Sequence, residues 1–496
     1  MLTRLINFAL QLAKALGLSS VTPTSSQMPT ADSQLNFLME VLQATAESGG
    51  NAEVVYPLLQ ANLDKLDDNL ALLLRDWATA TLAEVEPKQA QYIAGVIVNL
   101  SNLIGQFPLG SRATNLEIAI TGYELVSTVF TSEAFPQDWA RTQNNLATVY
   151  CHRIRGDKAD NLEHAIAAYQ AALQVRTREA FPQDWATTQN NLANAYLERI
   201  RGDKADNLES AIAFYQAALQ VYTREAFPQD WATTQNNLAN AYLERIRGDK
   251  ADNLENAIAF YQAALQVFTR EAFPQNWATT QNNLANAYLE RIRGDKADNL
   301  ENAIAFFQAA LQVFTREAFP QNHAETLFNL GLAYQDAQQF TNAYHCFAEA
   351  IETVEFLRGE IVLGSGVEEH KQKLAEEWNK LYRRMVEVCL ELNYRDQAIE
   401  YIERSKTRNL IELFATRDLY PQAEIAEAAR KQLQQLRQEI EEEQRRLKQE
   451  EEPNYRVSEK KSGEIIKQTL QTRRRSRRGE LKSHAKFRSP RQGSEH

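Results

Sequence analysis

The sequence predicts an all-α protein, a right-handed solenoid of paired antiparallel helices, and three observations predict it. The landmark Phe-Pro-Gln recurs at Phe135, Phe181, Phe227, Phe273 and Phe319, each 46 residues after the last. A fixed period in this range marks a stacked array, in which each unit packs only on its neighbours. Inside a unit the apolar residues follow helical spacing twice. Trp185, Leu192, Ala193 and Tyr196 share one face of a first helix, and Leu208, Ala211, Ile212, Tyr215, Ala218, Leu219 and Tyr222 share one face of a second. The third observation is punctuation between them. Gly202 suits a helix end, Asp206 with Glu209 three positions on reads as an N-cap and capping box, and Phe227-Pro228 is expected to close the second helix.

The chain divides accordingly. Residues 1–33 give an apolar-leaning amphipathic helix with Arg4 and Lys14, then a polar linker; Gln11 and Lys14 interrupt the apolar run, and no clear cleavage site follows. Residues 34–92 are expected to be a helical cap over the apolar end of the array, with Leu38, Val41, Leu42, Leu58, Leu59, Leu63 and Leu66 at helical spacing. Five long units occupy 93–322, starting near Ile93, Trp139, Trp185, Trp231 and Trp277. At 323–357 the spacing tightens into a compact unit around Leu330, Tyr334, Ala343, Phe347 and Ala350. Leu357 to Val367 is read as a connection, and 358–420 adds a further helical hairpin, Trp378 to Leu392 with Gln397 to Phe414. A charged helix at 421–452 carries a partial heptad stripe, Leu433, Leu436, Ile440 and Leu447, which offers self-association. Residues 453–496 read as a basic disordered tail.

Composition excludes several function classes. The formal charge is −11, but residues 456–496 carry 13 Lys+Arg against 4 Asp+Glu, a net of +9, which leaves −20 on the rest. The acidic body repels nucleic acid, so nucleic-acid binding is left only to the tail; its other reading is the truncated or frame-shifted remnant of a lost domain. No run of about 20 apolar residues spans a membrane. Three cysteines without metal-ligand spacing indicate a reducing, cytoplasmic setting and no metal. Cys151-His152 and His345-Cys346 are sequence neighbours, and neighbours on a helix point about 100° apart, so neither pair forms a catalytic dyad. The reading is therefore no catalysis, no cofactor and no small-molecule substrate.

Leu192-Ala193, Tyr196, Ala211, Tyr215 and Ala218 resemble, in type and order, the tetratricopeptide repeat. Its usual unit has about 34 residues, so this one carries roughly 12 more, part of them in the inter-helix turn. Asn190-Asn191-Leu192-Ala193 is similar to the long subtype seen in kinesin light chains. Tyr401 to Pro421, with Glu403-Arg404-Ser405-Lys406, resembles the junction that joins such arrays to a caspase-like domain in bacterial, especially cyanobacterial, CHAT proteins. That resemblance implies a regulatory fragment acting with a separate catalytic partner.

The candidate site is a row of asparagines. Tyr196 and Leu192 face neighbouring helices, so the opposite side of the first helix holds Thr187, Asn190, Asn191, Asn194 and Glu198. The period copies the row to Asn144 and Asn145, to Asn236, Asn237 and Asn240, and to Asn282, Asn283 and Asn286, with Asn329 continuing it. In the family this side lines the inner groove. An amide offers both donor and acceptor, which suits recognition of another chain's backbone. The sequence therefore predicts a scaffold that binds an extended protein segment.

Overall fold

The computed structural model describes residues 31–363 and 368–416, all of whose regular elements are helices. The expectations for residues 1–30 and for everything after residue 416, the charged helix and the tail included, lie outside the described residues. The described residues up to Leu410 form one compact unit. No helix among the described residues is long and apolar enough to cross a membrane.

Five α-helices precede the regular array among the described residues: α1 Ala31–Ser48, α2 Ala52–Gln60, α3 Asp68–Glu84, α4 Pro87–Gln106 and α5 Arg112–Val126. Leu38, Val41, Leu42, Leu59 and Leu66 are buried in one cluster with α4 and α5, while Leu63 is exposed. From there the helices alternate in strict order. First helices are α6 Pro136–His152, α8 Pro182–Glu198, α10 Pro228–Glu244, α12 Pro274–Glu290 and α14 Pro320–Asp336. Second helices are α7 Lys158–Leu173, α9 Lys204–Ala218, α11 Lys250–Ala264, α13 Lys296–Ala310 and α15 Phe340–Leu363. Two more, α16 Glu368–Glu391 and α17 Arg395–Thr416, follow.

Phe-Pro does the opposite of what its sequence suggests. The second helix stops at Ala218, nine residues before Phe227, and Phe227 becomes the N-cap residue of α10 with Pro228 at its first position. Proline fits there because the first amide of a helix has no intrahelical partner to lose. Tyr222 and Phe227 lie in the intervening turn, with ring centroids 5.7 Å apart. The cap of the second helix is also displaced by three residues. Asp203, not Asp206, is the N-cap residue, accepting from the amide of Asp206 at 2.9 Å. Glu209 is not in a capping box; its carboxylate binds Arg245 of the next unit. Gly202 belongs to this turn at φ +83°, a left-handed conformation glycine adopts without strain. Buried Asn207 closes the turn by donating to the carbonyl of Arg201 at 2.9 Å.

Asp203, Asp249 and Asp295 repeat the cap. Replacing Asp249 by alanine is expected to cost about 1 kcal/mol, seen as a lower urea midpoint at unchanged slope. A midpoint equal to wild type would show that the cap contributes nothing.

Small residues set the helix contacts. Ala193, Ala211, Ala218, Ala239, Ala257 and Ala264 are fully buried, and Tyr215 and Tyr261 fill the space beside them. Trp185 and Trp231 are only half-buried, and Trp231 bridges the clusters of successive units. In the compact unit Gly331 lies against Phe347, where a Cβ would sit 2.3 Å from the ring. The connection expected from Leu357 to Val367 is helical as far as Leu363, where α15 ends; residues 364–367 lie outside the described residues. Besides packing on its own second helix, each first helix touches the first helices before and after it, and no contact of comparable extent joins second helices. The array therefore curves toward its first helices.

Candidate functional site: the face of the first helices

On α8 the buried residues are Ala186, Thr188, Gln189, Leu192, Ala193 and Ala195. The remaining face carries Thr187, Asn190, Asn191 and Asn194, all half-buried, and exposed Glu198. Thus 3.6-residue periodicity places the asparagines on the side toward which the array curves. The same residues recur on α10 and α12, so the face is one continuous strip.

Part of each amide serves the stack. Thr188, Thr234, Thr280 and Thr326 donate from Oγ1 to Oδ1 of Asn144, Asn190, Asn236 and Asn282 in the preceding unit, at 3.1 to 3.2 Å. Thr188, Thr234 and Thr280 also donate, at 2.8 Å, to a carbonyl one turn back on their own helix, so a single proton is shared and the asparagine contact is the weaker one. Asn194 and Asn240 accept at Oδ1 from the hydroxyls of Tyr215 and Tyr261. They accept as well from Nδ2 of Asn237 and Asn283, at 3.3 and 3.4 Å.

What is left is mostly donors. Nδ2 of Asn190, Asn194, Asn240 and Asn282 has no acceptor among the described residues, and the side chains of Asn191, Asn286 and Asn329 make no hydrogen bond there. Asn144 and Asn236 donate weakly to their neighbours Asn145 and Asn237, at 3.3 and 3.5 Å. Asn286 differs from Asn194 and Asn240 for a visible reason: Phe307 stands where they have Tyr215 and Tyr261. The two-sided clamp expected of each amide becomes, for the Asn194 position, a fixed carbonyl with a free amino group.

Sequence reasoning missed two members of this strip. Asn102 on α4 accepts from Tyr123 and, at 2.9 Å, from Nδ2 of Asn145, which makes it the first of the row. The break in period hid it, because Thr148 occupies the intermediate position, its Oγ1 2.9 Å from the Tyr169 hydroxyl. Arg176, where later units have Tyr222, Phe268 and Phe314, is buried and donates to Thr188 at 3.0 Å. Burial pushes its pKa down from the usual guanidinium range, opposed by nearby Asp184.

The acidic groups are largely paired. Glu198, Glu244 and Glu290 meet Lys158, Lys204 and Lys250 of the preceding unit at 3.0 to 3.3 Å. Cys151 and Cys346 are not activated nucleophiles, since burial pushes both thiols up to about 12. No group of three metal-ligating side chains occurs among the described residues.

Two sets of groups make the array acid-sensitive. Hydrogen bonds from Arg199, Arg245 and Arg291 hold the carboxyls of Glu163, Glu209 and Glu255 below the usual range. Burial lowers the pKa of His323, whose Nδ1 is 3.1 Å from Thr353 Oγ1. Both depressions mean that the unfolded chain binds more protons at intermediate pH, so stability rises with pH. The stabilisation is complete above the ordinary histidine value of about 6.5 and is lost as the pH falls through the ordinary glutamate value of about 4.3 and below. Urea midpoints should fall from about pH 7 to about pH 3, through His323 below about 6.5 and through the three glutamates below about 4.3; a flat profile would contradict the assignment.

Tetratricopeptide-repeat models match residues 139–178, 185–225, 231–269 and 324–353. The chain therefore carries tetratricopeptide repeats. A comparison with curated proteins finds no match. Among solved structures the chain is similar to a STAND signal-transduction ATPase with a tetratricopeptide repeat sensor from Pyrococcus horikoshii, at 14% identity over 84% of this chain and 53% of that one, TM-score 0.46. It is similar also to the apo quorum sensor NprR from B. thuringiensis, at 15% identity over 82% of this chain and 97% of that one, TM-score 0.45. A third is the complex of the TPR2AB domain of yeast Sti1 with pHSP90, at 17% identity over 60% of this chain and 99% of that one, TM-score 0.21. The chain spans about half the length of the first.

Proposed function

We propose that this tetratricopeptide-repeat array is a protein-interaction scaffold whose strip of first helices binds an extended segment of another protein. The observation that supports the reading is the regular row of amide donors without acceptors, Asn194, Asn240 and Asn286 above all. Each of the first two is held by its carbonyl, so the direction of its amino group is preset, and ordering it on binding costs little. An extended chain presents carbonyls at regular intervals whatever its side chains, and such donors suit them. Thr187, Asn191 and the paired Glu198 complete a polar, nearly neutral wall that tolerates varied sequences.

The test is affinity capture with the full chain, read by mass spectrometry, against a chain in which Asn194, Asn240 and Asn286 are aspartate. Aspartate keeps the carbonyl that Tyr215 and Tyr261 need and removes the donor. Partners captured by the wild type and lost by the variant support the strip; partners captured equally by both rule it out.

A second reading rests on the sequence of Tyr401 to Pro421, which resembles the leader of CHAT proteases: the array would then present substrates or regulators to a separately encoded catalytic partner. Part of that stretch has a packing role. Arg404 donates to Glu355 at 2.9 Å and lies over the ring of Tyr401, tying α17 to α15. A caspase-like protein among the captured partners would favour this reading.

A further inference from the structure

Along one edge of the array the chain fills the same site four times and leaves a fifth copy open. Glu117, Glu163, Glu209 and Glu255, on the second turns of α5, α7, α9 and α11, each receive a two-pronged guanidinium from the next unit: Arg153, Arg199, Arg245 and Arg291, at 2.7 to 2.9 Å. Each guanidinium also lies 5.3 to 5.7 Å from the ring centre of the tyrosine three residues before it, Tyr150, Tyr196, Tyr242 or Tyr288. In the last three copies a second arginine, two residues on, pairs with the aspartate three residues before the glutamate: Arg201 with Asp160, Arg247 with Asp206, Arg293 with Asp252. The residue between the arginines contributes little, since Ile200, Ile246 and Ile292 are about 60% exposed.

On α13 the fifth copy is complete on the acidic side. Asp298 and Glu301 hold the same positions, and Tyr334 stands where the earlier units have their stacking tyrosine. The α14 helix docks in the same register: Thr326 reaches Asn282 at 3.1 Å as Thr280 reaches Asn236, and Gln308 donates to the Tyr334 hydroxyl as Gln170 does to that of Tyr196. The arginine loop is gone, however, because the compact unit turns through Ala337, Gln338 and Gln339. Both carboxylates are exposed, and neither has an ion pair or side-chain hydrogen bond among the described residues. Leu300 is 8% exposed where Leu254 is 1%, and Ile304 is half-buried where Ile258 is buried.

We propose that this open position is a docking site for a segment of a partner protein carrying two arginines one residue apart. The chain itself displays the ligand, in its own loops on the filled copies. Arginine rather than lysine is specified, because only the planar guanidinium both pairs two-pronged with a carboxylate and stacks on the tyrosine. The site is separate from the asparagine strip, so it stands or falls independently of that reading.

The probe is a fluorescent peptide with the sequence of residues 289–296, Leu-Glu-Arg-Ile-Arg-Gly-Asp-Lys, titrated into the full chain and followed by anisotropy. Saturable binding is expected, weakened at least about tenfold by Asp298→Asn with Glu301→Gln, and by lysine in place of both peptide arginines. The variant should keep the wild-type thermal midpoint, since the two carboxylates bond nothing in the fold. No binding up to about 1 mM, equal binding by the variant, or equal binding of the lysine peptide would each overturn the proposal. Binding that appears only after Arg473, Arg475 and Arg477 are replaced by alanine would assign the site to the chain's own arginines and overturn a separate partner.

Discussion

Replacing Tyr261 by alanine is expected to destabilise the array by about 3–5 kcal/mol, because a fully buried aromatic leaves a cavity that rigid helix pairs cannot close. Tyr261 sits with Ala239, Ala257, Ile258, Leu284 and Ala287, residues from α10, α11 and α12, so its loss weakens two interfaces at once. Since a repeat packs only on its neighbours, the damage should stay local. The single urea transition should separate into two, with the units on either side of α11 unfolding apart. Tyr261→Phe should cost only about 0.5–1.5 kcal/mol, the worth of its hydroxyl on Asn240. The chain already makes this exchange at Phe307, which is equally buried. Circular dichroism against urea checks both variants. An alanine variant with the wild-type curve would mean that the helix register is wrong.

The second large effect is on binding. With Asn194, Asn240 and Asn286 all replaced by aspartate, affinity for a captured partner should fall about 100-fold or more, taking about 1 kcal/mol for each lost donor plus repulsion between carboxylate and peptide carbonyl. The unfolding curve should barely move, since Tyr215, Tyr261, Asn237 and Asn283 keep their acceptors. Titration calorimetry with the partner measures the loss. Equal affinity would place recognition elsewhere on the surface.

The solenoid was legible because periodicity reports burial directly: Leu192, Ala193, Leu208, Ala211, Ile212 and Tyr215 all lie in the core, as their spacing requires. Local punctuation was less legible. Asp203 and Asp206 are both good caps, and only the tertiary demand on Glu209, whose carboxylate is taken by Arg245, distinguishes them. Phe-Pro is ambiguous in sequence for the same kind of reason, because proline stops one helix or starts the next with equal ease. The arginine staples escaped notice altogether. They join residues 36 apart, a spacing belonging to neither helix, so no pattern within one unit shows them. The asparagine strip was found by elimination of buried faces. What that could not reveal is that tyrosine and threonine hydroxyls from neighbouring helices take up one side of many of the amides.

The most direct measurement of the central claim is site-specific photocrosslinking to a captured partner. A photoreactive residue at Thr233, on the asparagine face of α10, should crosslink to the partner in high yield, while one at exposed Gln262, on the second helix α11, should not. Crosslinks from Gln262 with none from Thr233 would contradict it, and would move recognition to the opposite side of the array.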